Sequence, residues 1–263
     1  MGLRLAIRNE YLNFYRLGQS VARVACVRKE LVAYVHYKYV LGDLEGYSGP
    51  LYLRLNANGV FSPDALGAVY EGSTTLNQWV AKAGAYAGVE KKIVDQLVEK
   101  NNHVVDLEMA LPAWARNSVA VRMDLVAIED GRVVFWEVKT VDDSRIRCNA
   151  DFLEDKFPHV LEQLSHYRDF LEQDSHVELV EFAYRNTAKL LVDLRRLADK
   201  IGPTLALGRS IKDASEAQRL DVARLAALVV VDLPEPEANK GPWKSWKAPA
   251  VCGFPPAISS VTG

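Results

Sequence analysis

Arg122-Met-Asp124-Leu-Val-Ala-Ile-Glu129-Asp130-Gly131-Arg132-Val-Val-Phe-Trp-Glu137-Val-Lys139-Thr140 is the stretch on which the fold turns. Two β-rich runs flank Asp130-Gly131, a dipeptide suited to the two positive-φ positions of a tight hairpin turn. With those residues as the loop, Glu129 pairs with Arg132, and opposed positions sum to 261. Asp124 then stands opposite Glu137, and Lys139, two residues on, shares the face of Glu137. Val126, Ile128, Val133 and Phe135 occupy that face, while Leu125, Ala127, Val134, Trp136 and Val138 occupy the other. Apolar residues on both faces describe a central strand covered on both sides. Into this dry hairpin the sequence places two carboxylates with Cβ atoms roughly 5 Å apart. At an effective dielectric of about 20, full charges at that separation repel by roughly 3 kcal/mol. A shared proton, a lysine, or a divalent cation with oxygen ligands must offset the repulsion.

Outward from the hairpin, Val89–Lys100 reads as a helix, with Val89, Ile93, Leu97 and Val98 on one face and Asn101-Asn102 as its stop. Strands are predicted at His103–Leu111, Val119–Ile128 and Arg132–Val141, a helix at Pro158–Glu172, and a strand at Val177–Tyr184. Helices at about 187–201 and 213–224, the second opened by Asp213-x-x-Glu216, lead to a last strand, Ala226–Val231. Residues 1–87 form an extension, strand-rich over 20–41 and Leu51–Leu55, with a turn at Asn58-Gly59 and a glycine-diluted helix over 64–87. Residues 88–233 form the central domain. Six of the eleven prolines fall in 234–263, with Trp243 and Trp246, and this segment reads as an extended tail.

The order α-β-β-β-α-β, with Asp124 on the second strand and Glu137-Val138-Lys139 on the third, resembles the PD-(D/E)xK nuclease superfamily. Gln163-x-x-x-Tyr167 on the following helix is similar to a further motif of its RecB-type branch; residues four apart share a helical face. The resemblance covers about residues 88–184. Met123 stands where the motif name has proline, and the iron–sulfur cysteines of some RecB-type nucleases are absent. The resemblance implies a restriction-endonuclease-like αβββαβ core of α/β (α+β) class, with a mixed central sheet flanked by helices and the strand-rich N-terminal extension added.

It also implies a chemistry. Asp124 and Glu137, with the Val138 carbonyl and Glu90 from the preceding helix, would hold one or two Mg²⁺ or Mn²⁺ ions. Glu99 competes with Glu90 for that place, and Glu108 is a third acid near the site. Lys139 would offset charge developing on phosphorus, and Gln163 and Tyr167 would position phosphate or Lys139. Arg145, Arg147 and Lys156 are candidate phosphate contacts, as are Lys240, Lys244 and Lys247, with Trp243 and Trp246 as stacking surfaces. His166 falls one place off the Gln163/Tyr167 face and is read as a bystander. The expected partner is nucleic acid, DNA in preference to RNA. A protein partner or a homodimer suits the strand-rich arm and the tail equally. The alternative is a catalytically silent nuclease fold that binds nucleic acid or protein within a larger complex.

Composition limits the other classes. The 263 residues carry 32 Lys+Arg against 34 Asp+Glu, a balance unlike that of a uniformly basic nucleic-acid coat. Three scattered cysteines (Cys26, Cys148, Cys252) argue against a disulfide scaffold or a zinc ribbon and suit a reducing compartment. No apolar run suggests a signal peptide or a membrane span, so a cytoplasmic location is expected. No phosphate-cradling glycine loop, dinucleotide fingerprint or serine elbow is present.

Overall fold

The computed structural model describes residues 2–62, 67–111, 122–141, 143–146, 159–200 and 206–231. The chain divides into two compact units, Met1–Gln96 and Leu97–Gly263. Among the described residues, no helix is long and apolar enough to cross a membrane.

The first unit is built on an antiparallel meander of β1 (Arg4–Ile7), β2 (Tyr11–Arg16), β3 (Gln19–Val27), β4 (Glu30–His36), β5 (Tyr52–Leu55) and β6 (Phe61–Ser62). The predicted strand over 20–41 is a hairpin: Arg28 and Lys29 turn it at φ 51° and 70°, and α1 (Tyr37–Val40) ends it. Gly59 turns the next pair at φ 78°, as the Asn58-Gly59 signal predicts. One sheet face buries Val35, Leu53, Leu55 and Phe61 against Trp79 and Ala83 of α2 (Ser73–Ala85). Arg4 of β1 is buried against Asp95 of α3 (Val89–Lys100), with Nε 3.2 Å from Oδ1 and Nη2 3.3 Å from Oδ2. The helix Val89–Lys100 forms as predicted, but its buried positions are Val94, Asp95 and Leu97, and Val89 is exposed.

The second unit holds the predicted hairpin. β8 (Arg122–Glu129) and β9 (Arg132–Thr140) pair antiparallel from Glu129↔Arg132 to Leu125↔Trp136, in the 261 register. Asp130 and Gly131 make the turn, both at positive φ (47° and 75°). β7 (Val104–Ala110) pairs with β8 antiparallel. On the other side of β9 lie β10 (Asp221–Val222) and β11 (Ala227–Val231), both parallel to it. The sheet is therefore mixed, with β9 central. Val126, Ile128, Val133 and Phe135 pack under α4 (His159–Leu171), α5 (Asp174–Ala198) and α6 (Arg209–Glu216) through Tyr167, Phe170, Leu171, Val180, Tyr184, Ala188, Ile211 and Ala214.

Two expectations are corrected. Val177–Tyr184 is not a strand; it lies inside α5, which buries Val180, Tyr184, Thr187 and Ala188 at helical spacing. The helix predicted over 187–201 is the second half of α5. The helix predicted over 213–224 lies instead at Arg209–Glu216, so Asp213-x-x-Glu216 closes α6 rather than opening it, its N-cap is Gly208, and Asp221–Val222 is strand β10. The fold is thus mixed α/β, with six α-helices among the described residues, and the strands parallel to β9 come three helices after it.

Candidate functional site

Continuing the hairpin register one step past Leu125↔Trp136 sets Asp124 opposite Glu137. Here a side chain joins the two strands: Asp124 Oδ2 accepts the Val138 backbone N–H at 2.9 Å. Glu137 and Lys139, two residues apart on β9, point to the same face and are each 1 % exposed. The Lys139 ammonium donates to Glu137 Oε1 and, at 3.0 Å, to the Val138 carbonyl, and it lies 3.8 Å from Asp124 Oδ2. Three oxygens from two strands therefore converge on one cationic nitrogen. Burying a charge without such partners would cost several kcal/mol, of order 3–5 on loss of one partner.

α4 covers this cluster. Tyr167 is fully buried, and its hydroxyl has no hydrogen-bond partner among the described residues. Burial pushes its phenol far above the usual tyrosine range, and the Glu137 carboxylate adds to the shift. Asp124 and Glu108 push the same way, while Gln163, one turn earlier, acts against them. Gln163 is half-buried, and its Nε2 donates to the Arg122 carbonyl at 3.3 Å, fastening α4 to the start of β8. The Gln-x-x-x-Tyr pair thus brackets the acids from one helical face, as the spacing predicts.

Glu108 adds a third carboxylate to the surroundings of Tyr167. It sits on β7 between the pairs Leu107↔Leu125 and Met109↔Met123, which sets it beside Asp124. Its φ is 52°, a left-handed conformation costing a non-glycine residue roughly 1–2 kcal/mol. One buried acid went unread in the sequence. Asp106, 4 % exposed, accepts from the Tyr184 hydroxyl at 3.1 Å and from the Leu107 N–H at 2.7 Å. The signal was an acid inside the apolar run Val104-Val105-Asp106-Leu107, but its partner was assigned to a strand.

Glu90 is half-buried in the first turn of α3, in the first unit, and Glu99 is exposed near the end of that helix. Arg145 follows β9 with its guanidinium held by its neighbour Asp143, at 3.0 and 3.1 Å from Nε. His166 is exposed. Arg147, Lys156, Lys240, Trp243, Lys244, Trp246 and Lys247 lie outside the described residues. Among the described residues, no group of three His, Cys, Asp or Glu side chains is arranged to hold a metal ion. The oxygens that converge on Lys139 come from two side chains and one backbone carbonyl. A groove of about 710 Å³ opens elsewhere, at the turn end of the hairpin, lined by His103, Glu129, Asp130, Trp136 and Arg209. Its lining reaches Trp136 and Val229, the latter opposite Val138, on the sheet face turned away from Glu137 and Lys139.

Compared with protein families, with characterised proteins and with solved structures, the chain matches none.

Proposed function

We propose that the chain is a metal-dependent nuclease of PD-(D/E)xK type, hydrolysing phosphodiester bonds of nucleic acid, DNA in preference to RNA, in recombination, repair or defence. The observation carrying this reading is the convergence of Asp124, Glu137 and the Val138 carbonyl on a single cation position, held here by the Lys139 ammonium. Two carboxylates and a carbonyl are hard oxygen donors, and that donor set fits Mg²⁺ or Mn²⁺. The helix, the three antiparallel strands, the covering helix and the parallel β11 are in keeping with a restriction-endonuclease-like core.

Bound there, such an ion supplies Lewis acidity toward the scissile phosphate. Asp124 and Glu137 would hold it. Lys139, released from Glu137 and Val138, would offset charge developing on phosphorus. Tyr167 stays protonated at neutral pH and can donate a hydrogen bond toward phosphate or the acids. Gln163 keeps α4 seated on β8.

A second reading has an observation of its own: Lys139 satisfies both Glu137 Oε1 and the Val138 carbonyl with no ion. The chain would then be a silent nuclease fold that binds nucleic acid or protein. Incubation with linear and circular, single- and double-stranded DNA and with RNA, in Mg²⁺, Mn²⁺ or chelator, separates the two. The nuclease reading expects cleavage that needs metal and disappears in Asp124→Ala and Lys139→Ala with the fold retained. If no substrate is cut in either metal, the silent reading replaces it; if Lys139→Ala cuts normally, the role given to Lys139 is wrong.

A further inference from the structure

The first unit carries a surface that the hydrolytic site does not use. Nine of the chain's eleven tyrosines precede residue 97. Strand alternation sends Val35, Leu53, Leu55 and Phe61 to the α2 face, and so sends Arg23, Tyr34, His36, Tyr52 and Arg54 to the opposite one. The register then lines up Asn13↔Arg23, Arg23↔Tyr34, Tyr34↔Arg54 and Arg54↔Ser62, a row across five strands whose β2 end, at Asn13, is buried, as is Val32 next along β4. At about 4.8 Å between strands, the Arg23–Tyr34–Arg54 part of this row spans roughly 10 Å. One step along, His36 is opposite Tyr52.

The two arginines on this face are not neutralised. Among the described residues neither Arg23 nor Arg54 has a carboxylate partner. The Arg23 guanidinium lies 4.0 Å from the Tyr52 ring centre and 5.4 Å from that of Tyr11, and it donates to the Tyr52 hydroxyl at 2.8 Å. Its Nε is buried without a hydrogen-bond partner. Arg54 is exposed, and Tyr11, Tyr34 and Tyr52 are half-exposed. The rings continue through His36, 5.3 Å from Tyr52 and 5.0 Å from Tyr37, to Tyr47, stacked on Tyr37 at 4.1 Å. Burial and the charges of Lys38 and Arg23 hold the His36 imidazole below its usual range. The acid that alternation sends to this face of β2–β6 is Glu30, at the hairpin tip beside Arg28 and Lys29.

We infer that the β3–β5 part of this sheet face, where Arg54 is exposed and Tyr34 and Tyr52 are partly exposed, binds single-stranded nucleic acid, with Tyr34 and Tyr52 as base-stacking platforms and Arg54 and Arg23 as phosphate contacts. A flat row of cations alternating with ring faces matches a polyanion that has exposed π surfaces. Unpaired bases stack on aromatic side chains whatever their sequence, whereas a duplex keeps its bases stacked on one another. An acidic peptide would satisfy the arginines and leave the tyrosines without a role.

The inference is independent of hydrolysis, and its test excludes metal. Fluorescence anisotropy of the full-length chain in chelator, at low salt, is measured with a labelled single-stranded DNA, the same sequence as RNA, its duplex, and an abasic strand of equal length. The single strands should bind at least about tenfold more tightly than the duplex or the abasic strand. Arg54→Glu, at an exposed position, should weaken single-strand binding about tenfold and lower the slope of log affinity against log salt by about one. Tyr34→Ala should weaken it similarly, and Tyr34→Phe should restore it. Equal affinity for the abasic strand would make the face a polyanion patch without stacking and overturn the proposal. Unchanged binding by Arg54→Glu and Tyr34→Ala, or no binding at all, would overturn it too. Tight single-strand binding in chelator, with no cleavage when Mg²⁺ or Mn²⁺ is added, would sink the hydrolytic reading alone.

Discussion

A lysine ammonium held between two carboxylates and a carbonyl is the residue-scale centre of this protein. Its neighbour Tyr167 offers a measurement. The phenol is pushed above its ordinary value near 10 chiefly by burial, then by Glu137. A group whose folded-state pKa lies above its unfolded one stabilises the fold fully below the unfolded value, and that stability drains away as pH rises. The wild type should therefore lose stability above about pH 10, where the unfolded phenol gives up its proton and the folded one keeps it. Tyr167→Phe should match the wild type to within about 1 kcal/mol at pH 8, since the hydroxyl it deletes has no partner. It should fall less steeply between pH 8 and 11. Urea midpoints at the two pH values check this, and parallel losses in both proteins would refute it. Asp124, Glu137 and Lys139 were legible in the sequence because an Asp-Gly turn fixes a hairpin register by local counting. Glu108 and Asp106 take their places from the pairing of β7 with β8, which shifts register between Val104 and Asp106; no local count contains that shift.

At the scale of elements, α5 is the instructive case. Its segment Val177-Glu-Leu-Val-Glu-Phe-Ala-Tyr184 reads as a strand because Leu179 and Phe182 fill the gaps between the buried positions. Those two side chains are exposed at 65 % and 57 %, and without them the spacing of Val180, Tyr184 and Ala188 is plainly helical. β2 hides its period differently: its alternate buried positions are Asn13 and Tyr15, both polar side chains, and the bulge opposite them falls on β3, where Val21 and Ala22 are both buried. α5 is tied to the sheet through the Tyr184 hydroxyl on Asp106. Tyr184→Phe should cost about 1–3 kcal/mol by removing one donor from a buried carboxylate. Phe182→Ala, on the exposed side, should cost far less. Equal losses from the two changes, read by urea unfolding, would mean that the hydroxyl contact does not hold α5 to β7.

For the whole molecule, the two cores set the expectation. Val21, Val35, Leu53 and Trp79 pack in one, and Val126, Phe135, Tyr167 and Ile211 in the other. With separate cores, the calorimetric unfolding enthalpy should exceed the van't Hoff value, and the trace should resolve into two transitions. A single transition with equal enthalpies would show that the two cores melt as one. The parallel pairing of β11 with β9 has a further effect, on the order of events during synthesis. Leu228 and Val230 lie opposite Glu137 and Lys139, so the strand carrying the acid and the lysine gains its second neighbour about ninety residues after it is made. Until the ribosome has released residue 231, β9 is an open edge, able to recruit stray strands. During synthesis the acid and the lysine therefore cannot be flanked on both sides before residue 231 has emerged.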